Sequence, residues 1–237
     1  MMLKHLSVSS VQQYRRCPAA WAARYRDKLQ TPPTPAMAFG RAFATALEAL
    51  HLGQDADAAW VLTHAAALPG GIRPGAEYGL RLLQLYRDQG VYSGVPERRF
   101  ELHLPDRRAV PIPILGYVDL WTPNGLVEVK TSAAKWDFTR ARSELQAAAY
   151  WYAWRQTEGR APEHVTYLIF DTRTPGLTTI QVWPDANDLR LFEMACAGAY
   201  RGIRAGQFDP CGRQSCDTCR VPGAADDRTP TLLFGGG

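Results

Sequence analysis

The strongest constraint on the fold comes from one stretch near the middle of the chain, residues 111–130. It contains two apolar, β-branched runs, 112–121 and 126–131, which are joined by a segment with Pro and Asn-Gly. Pro fixes one backbone angle and Asn-Gly tolerates positive φ, so this segment is typical of a turn. The stretch is therefore predicted to form a β-hairpin.

Three charged side chains, Asp119, Glu128 and Lys130, interrupt this otherwise apolar hairpin. Ionised groups are expensive to bury unless they are paired or bound to a metal. Glu128 and Lys130 are two residues apart, so both point to the same face of their strand, while Asp119 lies on the neighbouring strand within reach of Glu128. Two carboxylates and one ammonium that converge are what a hydrolytic Mg²⁺ site needs. A surface salt bridge on an edge hairpin is the alternative interpretation.

The same residues carry a resemblance to a known family. Asp119, followed after a turn by Glu128, Val129 and Lys130, resembles the signature of the PD-(D/E)XK nuclease superfamily, although no Pro is adjacent to the Asp. The resemblance implies that Asp119, Glu128 and Lys130 are catalytic. It also implies that His51, Asp119, Glu128 and the Val129 carbonyl hold Mg²⁺ or Mn²⁺, while Lys130 positions or activates the attacking water.

His51 lies in a helix that the apolar period predicts over residues 37–52, on the same face as Phe43 and Leu47. Such a histidine is usually a satisfied core residue. In RecB-like nucleases a Gly-x-x-x-His or similar helix delivers a metal ligand, and the stretch from Gly40 to His51 is similar to that helix. The resemblance therefore implies that His51 is a metal ligand.

Gln146 and Tyr150 share one face of a long helix predicted over residues 138–156, because they are four residues apart. An amphipathic helix whose Tyr packs in the core is the alternative. Placed sixteen residues after Lys130, the Gln-x-x-x-Tyr pair resembles a RecB-family motif. This resemblance implies that Gln146 and Tyr150 orient Lys130 or bind a DNA phosphate.

Four cysteines suggest a second metal group. Cys211, Cys216 and Cys219 lie within nine residues without a nearby His, which indicates a soft metal or a cluster. Cys17 supplies a fourth ligand if the two ends of the chain meet. The run around Cys17 resembles the N-terminal helix of RecB-, AddB- and Cas-four-like nucleases, which implies a [4Fe–4S] cluster bound by all four. In that family C-x-x-C usually precedes the wider gap, whereas here it follows, so structural Zn²⁺ is the alternative. Cys196, in an apolar helical stripe, is predicted to be core.

The remaining pattern predicts further elements. The short N-terminal helix should begin at a cap on Ser9 or Ser10 and end near Arg16. Further helices are predicted over 55–68, 76–89 and 184–205, and strands over 96–104, 163–171 and 177–183.

The fold class predicted from these elements and from the resemblance is α/β, with a restriction-endonuclease-like core in which helices flank a small mixed sheet. We expect one nuclease domain over residues 1–237. Within it, the sequence predicts a cysteine staple from 1–30 and 206–220, a helical insertion at 53–92, a core at 93–205 and a flexible tail at 221–237.

Composition sets wider limits. With 237 residues and 46% hydrophobic content, the chain can bury one sizeable core. The net charge of +4 is compatible with a polyanionic partner. No export signal or membrane-spanning apolar run is evident, so we expect a cytoplasmic protein without a membrane partner. In a reducing cytosol the five cysteines favour metal binding over disulfides.

The resemblance implies a metal-dependent DNA exonuclease that acts on single strands or DNA ends. Small members of the family serve DNA recombination, repair or CRISPR adaptation, some of them in phages, and a helicase, a recombinase or a CRISPR integrase is a candidate partner. A site-specific endonuclease on the same core is one alternative. A non-catalytic DNA-binding partner that keeps the fold is another.

Overall fold

The computed structural model of the protein describes residues 3–29, 32–67, 75–213, 216 and 219. These residues group into two compact units. The terminal unit comprises the described parts of Met1–Thr31, His103–Ile114 and Glu193–Gly237. The sheet unit comprises the described parts of Pro32–Leu102 and Leu115–Phe192.

Among the described elements, a run of helices precedes most of the strands, and two further helices separate the fourth strand from the fifth. The strands are β1 (Leu6–Ser7), β2 (Val95–Leu102), β3 (Ile114–Trp121), β4 (Gly125–Ser132), β5 (His164–Asp171) and β6 (Gly176–Val182). The helices are α1 (Val8–Arg16), α2 (Pro18–Trp21) with a π-helical turn at Ala22–Arg26, α3 (Pro35–His51), α4 (Ala56–Ala67), α5 (Ala76–Gln89), α6 (Phe138–Ser143), α7 (Leu145–Glu158) and α8 (Ala186–Arg204).

The sheet unit contains a mixed sheet, as predicted. Its strands lie in the order β3-β4-β5-β6, and β2 pairs with β3. β3 and β4 are antiparallel and form the predicted hairpin, with Leu120 opposite Val127. β4 and β5 are parallel, with Glu128 opposite Tyr167. A parallel connection needs a crossover, and α6 and α7 supply it.

Opposite faces of this sheet are covered by different helices. On one face, Leu120 and Val127 belong to an apolar cluster with Phe43 of α3, Trp60 of α4 and Tyr86 of α5. Each of these aromatic side chains is at least 99% buried, which stabilises the fold by roughly 2 kcal/mol per side chain. On the other face, the neighbouring residue Trp121 stacks on Trp154 of α7, with ring centroids 5.1 Å apart. Alternation along the strand thus directs adjacent residues to different helices.

Gly40 allows α3 to approach the sheet closely. A β-carbon at this position would lie 2.9 Å from Oγ1 of Thr131, which follows Lys130 on β4. This contact brings α3, and with it His51, against the strand that carries the predicted catalytic residues.

Two local predictions were wrong. The helix predicted over 138–156 is broken at Glu144, whose φ of −71° and ψ of 129° are extended. No Gly or Pro lies at this break. Arg142 holds α6 by pairing with Asp185 and Asp188. After Glu144 the chain restarts as a separate helix, α7. Helix α1 also begins earlier than predicted. Its cap is therefore Ser7, and Ser7 and Ser10 exchange hydrogen bonds.

In the terminal unit, the N-terminal helices contact the segment that follows α8. The hydroxyl of Tyr14 on α1 donates to the carbonyl of Gln207 at 2.7 Å. Trp21 on α2 stacks on Phe208, with ring centroids 5.7 Å apart. Cys196 on α8 is fully buried, as predicted, and burial raises the pKa of its thiol to about 12.

The predicted division into one nuclease domain, with its staple, insertion and core, stays a prediction. The predicted tail at 221–237 lies outside the described residues, as do 214, 215, 217, 218 and 220 within the predicted staple. No helix in the described part of the chain combines the length and the apolar character that a membrane span requires.

Candidate functional site

Glu128 is the most heavily engaged side chain of the predicted site. It belongs to β4, and only 3% of the residue is exposed to solvent. Its Oε1 accepts hydrogen bonds from Nζ of Lys130 and, at 2.7 Å, from Nε2 of Gln146. Its Oε2 accepts a hydrogen bond from the hydroxyl of Tyr150. The burial of this carboxylate is therefore compensated by three donors, one of them positively charged.

Gln146 bridges the two charged residues of β4. Its Oε1 accepts from Lys130 Nζ at 2.8 Å while its Nε2 donates to Glu128. An ammonium has three N–H donors. Within the described structure two of them serve Glu128 and Gln146, so one remains for a substrate oxygen. The bridge fixes the position of Nζ from two sides.

The pKa of Lys130 determines what its side chain can do. Burial lowers this pKa, but the charge of Glu128, their hydrogen bond and the charge of Asp119 outweigh burial, so the pKa is raised overall. Lys130 therefore keeps its proton near neutral pH. It can donate a hydrogen bond and stabilise negative charge, but it is poorly suited to accept a proton.

Tyr150 contacts Glu128 from the buried side of the site. It is 1% exposed, so no face of its ring is open to a phosphate. Its hydroxyl lies 3.1 Å from the backbone carbonyl of Tyr117, in addition to its bond to Glu128. Burial and the nearby charge of Glu128 raise the pKa of this phenol well above its usual value. The hydroxyl thus remains a hydrogen-bond donor.

Asp119 lies beside this group and also faces a pocket. Its Oδ2 accepts a hydrogen bond from the Val129 N–H at 2.6 Å. Burial and the charge of Glu128 raise its pKa well above the usual range, while the Val129 N–H and the charge of Lys130 oppose this shift. The interaction of the two carboxylates agrees with their predicted convergence across the hairpin.

The pocket joins residues that are far apart in the sequence. Asp119 and Val129 line it from the hairpin, His51 and Glu48 from α3, and Glu97 from β2. His51 is half-buried, and its Nε2 lies 3.3 Å from the Tyr86 hydroxyl. Burial lowers the pKa of His51, so the imidazole is neutral near pH 7 and has a lone pair for a ligand.

Glu97 has an unusual backbone conformation for a residue with a β-carbon. Its φ is +46°, in the left-handed region that glycine favours. Its pKa is raised by burial and by the charges of Glu48 and Glu128. Of the two glutamates on β2, Glu97 lines the pocket, whereas Glu101 is exposed and its carboxylate lies 3.4 Å from the Arg99 guanidinium.

Glu48 was missed by sequence reasoning. The signal was available, because residues three apart on a helix share a face and Glu48 precedes His51 by three. Carboxylate oxygens and a neutral imidazole are donors that suit Mg²⁺ or Mn²⁺. The donors that line the pocket therefore fit the implied metal in kind. Of the predicted ligands, His51, Asp119 and Val129 line this pocket, whereas Glu128 is not among its lining residues.

The four predicted cysteine ligands meet in the terminal unit. In the part of the chain that the structure describes, they are the group of potential metal ligands whose atoms all lie within 4.8 Å of one another. Cys17 is fully buried between α1 and α2, and its Sγ accepts from the Ala20 N–H at 3.4 Å. A hydrogen bond from the Arg213 backbone lowers the pKa of Cys211 to about 7, whereas burial raises the pKa of Cys219 to about 12.

Comparisons with known proteins agree with this architecture. A family profile described as the PD-(D/E)XK nuclease superfamily matches residues 5–224. A solved structure named "Putative exonuclease" from Eubacterium rectale superposes with a TM-score of 0.64 at 16% identity, covering 92% of this chain and 87% of that one. At this identity the likeness shows a shared fold alone.

A second solved structure, of the protein SSO0001, has a TM-score of 0.41 at 14% identity and covers 89% of this chain and 80% of that one. A TM-score this low supports no conclusion about the fold. No curated protein matches the sequence.

Proposed function

This chain belongs to the PD-(D/E)XK nuclease superfamily, and we propose that it is a metal-dependent deoxyribonuclease that shortens DNA from its ends. The observation that carries this proposal is the buried network in which Glu128, Gln146 and Tyr150 hold Lys130 beside Asp119. A surface salt bridge would need neither the buried carboxylate nor the two neutral side chains that bond to it. The network instead holds the ammonium group of Lys130 in a fixed position.

We propose that the implied Mg²⁺ or Mn²⁺ binds in the pocket, held by Asp119, His51 and the Val129 carbonyl. Glu128 is a further predicted ligand, although its oxygens already accept hydrogen bonds from three donors. When bound, such an ion polarises a phosphate and lowers the pKa of a water molecule.

Lys130 acts, on this proposal, as a donor to a phosphate oxygen on which negative charge develops. Glu128 and Gln146 hold Nζ in place, so little reorganisation is needed when that charge appears. Tyr150 keeps Glu128 oriented from the buried side. The predicted role of Gln146 and Tyr150 in DNA binding is then mainly indirect, since Tyr150 has no exposed face.

Direct contact with DNA falls to Tyr117 in this proposal. It lies two residues before Asp119 on β3, so the two side chains point to the same side of the strand. Its ring is 59% exposed, and its carbonyl is the one that the Tyr150 hydroxyl approaches. An exposed ring beside a phosphate-cleaving site suits a base of single-stranded DNA, which stacks on aromatic faces.

Exonucleolytic cleavage is favoured because the structurally similar protein from Eubacterium rectale carries the name "Putative exonuclease". On the same proposal, the substrate is single-stranded DNA or DNA ends, and the reaction serves recombination, repair or CRISPR adaptation. The partner would be a helicase, a recombinase or an integrase, and the location would be the cytoplasm. A site-specific endonuclease and a non-catalytic DNA-binding partner remain the alternatives that the test must separate.

The test is a cleavage assay with Mn²⁺ on end-labelled single-stranded, double-stranded and closed circular DNA. Wild type is compared with Lys130→Ala, and Lys4→Ala, at an exposed lysine, serves as the matched control. We expect progressive shortening of DNA that has ends, no cutting of circles, and loss of activity in Lys130→Ala. Cutting of circles at one site would support the endonuclease. Equal activity in Lys130→Ala would refute the catalytic assignment.

A further inference from the structure

The distances between the four cysteine sulfurs bear on which metal group they hold. The Sγ atoms of Cys17 and Cys219 lie 3.5 Å apart, and those of Cys211 and Cys219 lie 3.8 Å apart. All four sulfurs, including that of Cys216, lie within 4.8 Å of one another. The four ligands therefore surround a very small volume.

That volume matches a single tetrahedral ion. Zn²⁺ binds thiolates at about 2.3 Å, and the edge of a tetrahedron with that radius is about 3.8 Å long. The two shortest sulfur pairs lie close to this length. They are also far longer than an S–S bond of about 2.05 Å, so the cysteines are not joined as disulfides.

A [4Fe–4S] cluster would require a different arrangement. Each cysteine then binds a different iron atom, and four irons and four sulfides fill the space between the thiolates. The thiolates must lie much farther apart than around one ion. In a [2Fe–2S] cluster two thiolates share an iron, but the two pairs are separated by the iron–sulfide core. Neither cluster allows all four sulfurs to lie within 4.8 Å of one another.

We propose that Cys17, Cys211, Cys216 and Cys219 bind one structural Zn²⁺ ion, in place of the [4Fe–4S] cluster that the family resemblance implies. Four thiolates and no open position are typical of a structural zinc site. The order of the spacing agrees with this assignment: C-x₄-C-x₂-C is the reverse of the usual order in the cluster-binding relatives. Zinc sites with four cysteines tolerate many spacings.

The ion would add to the contacts that join the N-terminal helices to the segment after α8. Besides the sulfurs, the N-terminal helices meet the 207–209 segment through the Tyr14 bond to Gln207, the Trp21 stack on Phe208 and an Ala19 N–H bond to the Asp209 carbonyl. A bound Zn²⁺ would therefore contribute directly to the folding free energy of the terminal unit. This role is independent of whether the chain cleaves DNA.

The test is the metal content of the full chain. The protein is expressed with both iron and zinc supplied, and it is purified under anaerobic conditions without a metal-affinity resin. Zinc, iron and acid-labile sulfide are then measured per chain, together with the visible absorption spectrum. We expect about one zinc ion per chain, no sulfide and no colour. A brown protein with iron and sulfide would overturn the proposal, and so would a protein without bound metal.

Variants and cobalt substitution identify the ligands. Cys216→Ser is expected to lose the zinc, while Cys196→Ser, at a buried cysteine outside the group, is expected to retain it. If Cys216→Ser fails to fold, Co²⁺ exchanged into the wild type provides the second measurement. Its absorption should be that of a tetrahedral ion with four thiolates. A Co²⁺ spectrum with fewer thiolates, or full zinc retention in Cys216→Ser, would contradict the assignment.

Discussion

The acidic pocket of the sheet unit and the cysteine site of the terminal unit hold their ligands in opposite ways. In the sheet unit, Glu128 accepts hydrogen bonds from protein donors on both oxygens, and it does not line the pocket with the other predicted ligands. In the terminal unit, four sulfurs lie within that distance of one another. In the first site a predicted ligand is engaged by protein donors, whereas in the second the four ligands already lie together.

This difference corresponds to two kinds of metal chemistry. A catalytic ion must leave room for substrate and water, so its protein ligands cannot enclose it completely. A structural ion is enclosed by the protein and contributes to folding. On our two proposals, the pocket binds a hard ion that exchanges readily, and the cysteines bind a soft ion that stays.

The largest effect is expected at Glu128. Replacing it with Ala leaves the Lys130 ammonium and the Tyr150 hydroxyl without their carboxylate, so we expect activity to fall at least about 1,000-fold and the free energy of unfolding to fall by about 3 kcal/mol. Denaturant unfolding without added metal and the cleavage assay measure the two effects. Glu128→Gln, which keeps the shape, should recover most of the stability and none of the activity. If both variants cleave DNA normally, the network is structural.

Metal removal should separate the two sites. Dialysis into buffer without Mg²⁺ or Mn²⁺ should stop cleavage and leave the melting temperature unchanged. A zinc-selective chelator should then lower the melting temperature, by roughly 10 °C if the site contributes about 3 kcal/mol. Thermal unfolding followed by circular dichroism measures both steps. A chelator that has no effect on melting would remove the distinction between an exchangeable and a structural ion.

Glu97 tests whether the pocket itself is the binding site of the hard ion. Glu97→Gln preserves the size of a side chain that lines the pocket with Asp119. We expect the Mn²⁺ concentration for half-maximal cleavage to rise about 10-fold, with little change at saturating metal. Glu101→Gln, on the same strand but exposed, should behave as wild type. Equal shifts in the two variants would indicate a general effect of charge.

Tyr117 gives the smallest and most specific expected effect. Loss of one base-stacking contact weakens binding of single-stranded DNA by about 10-fold, so Tyr117→Ala should raise KM with kcat unchanged. Tyr117→Trp should restore binding, because its ring also stacks. Trp183→Ala, at another exposed aromatic residue, is the control. Fluorescence anisotropy with labelled single strands and Ca²⁺ in place of Mn²⁺ measures affinity apart from cleavage.

Much of the fold could be predicted because it depends on local patterns. The period of apolar residues predicted α5 at its observed bounds and α3 within two residues. The Asn-Gly turn predicted the hairpin that carries Asp119, Glu128 and Lys130. The capping residue of α1 was harder to predict, since Ser7, Ser9 and Ser10 carry the same side chain. The structure places the cap at Ser7, in a capping box with Ser10.

The amino-acid sequence by itself determined which residues could take part in each site: the hairpin charges, the Gln-x-x-x-Tyr pair, His51 and the four cysteines. Tertiary structure alone decided how they meet. The break at Glu144 carries no Gly or Pro signal, and α6 is held by the pairing of Arg142 with Asp188, a residue distant in the sequence. Glu48 and Glu97 became pocket residues because α3 and β2 pack beside Asp119. The sulfur separations that distinguish one ion from a cluster depend on segments about 200 residues apart. Side-chain type is written in the sequence, but distances between remote residues arise from packing.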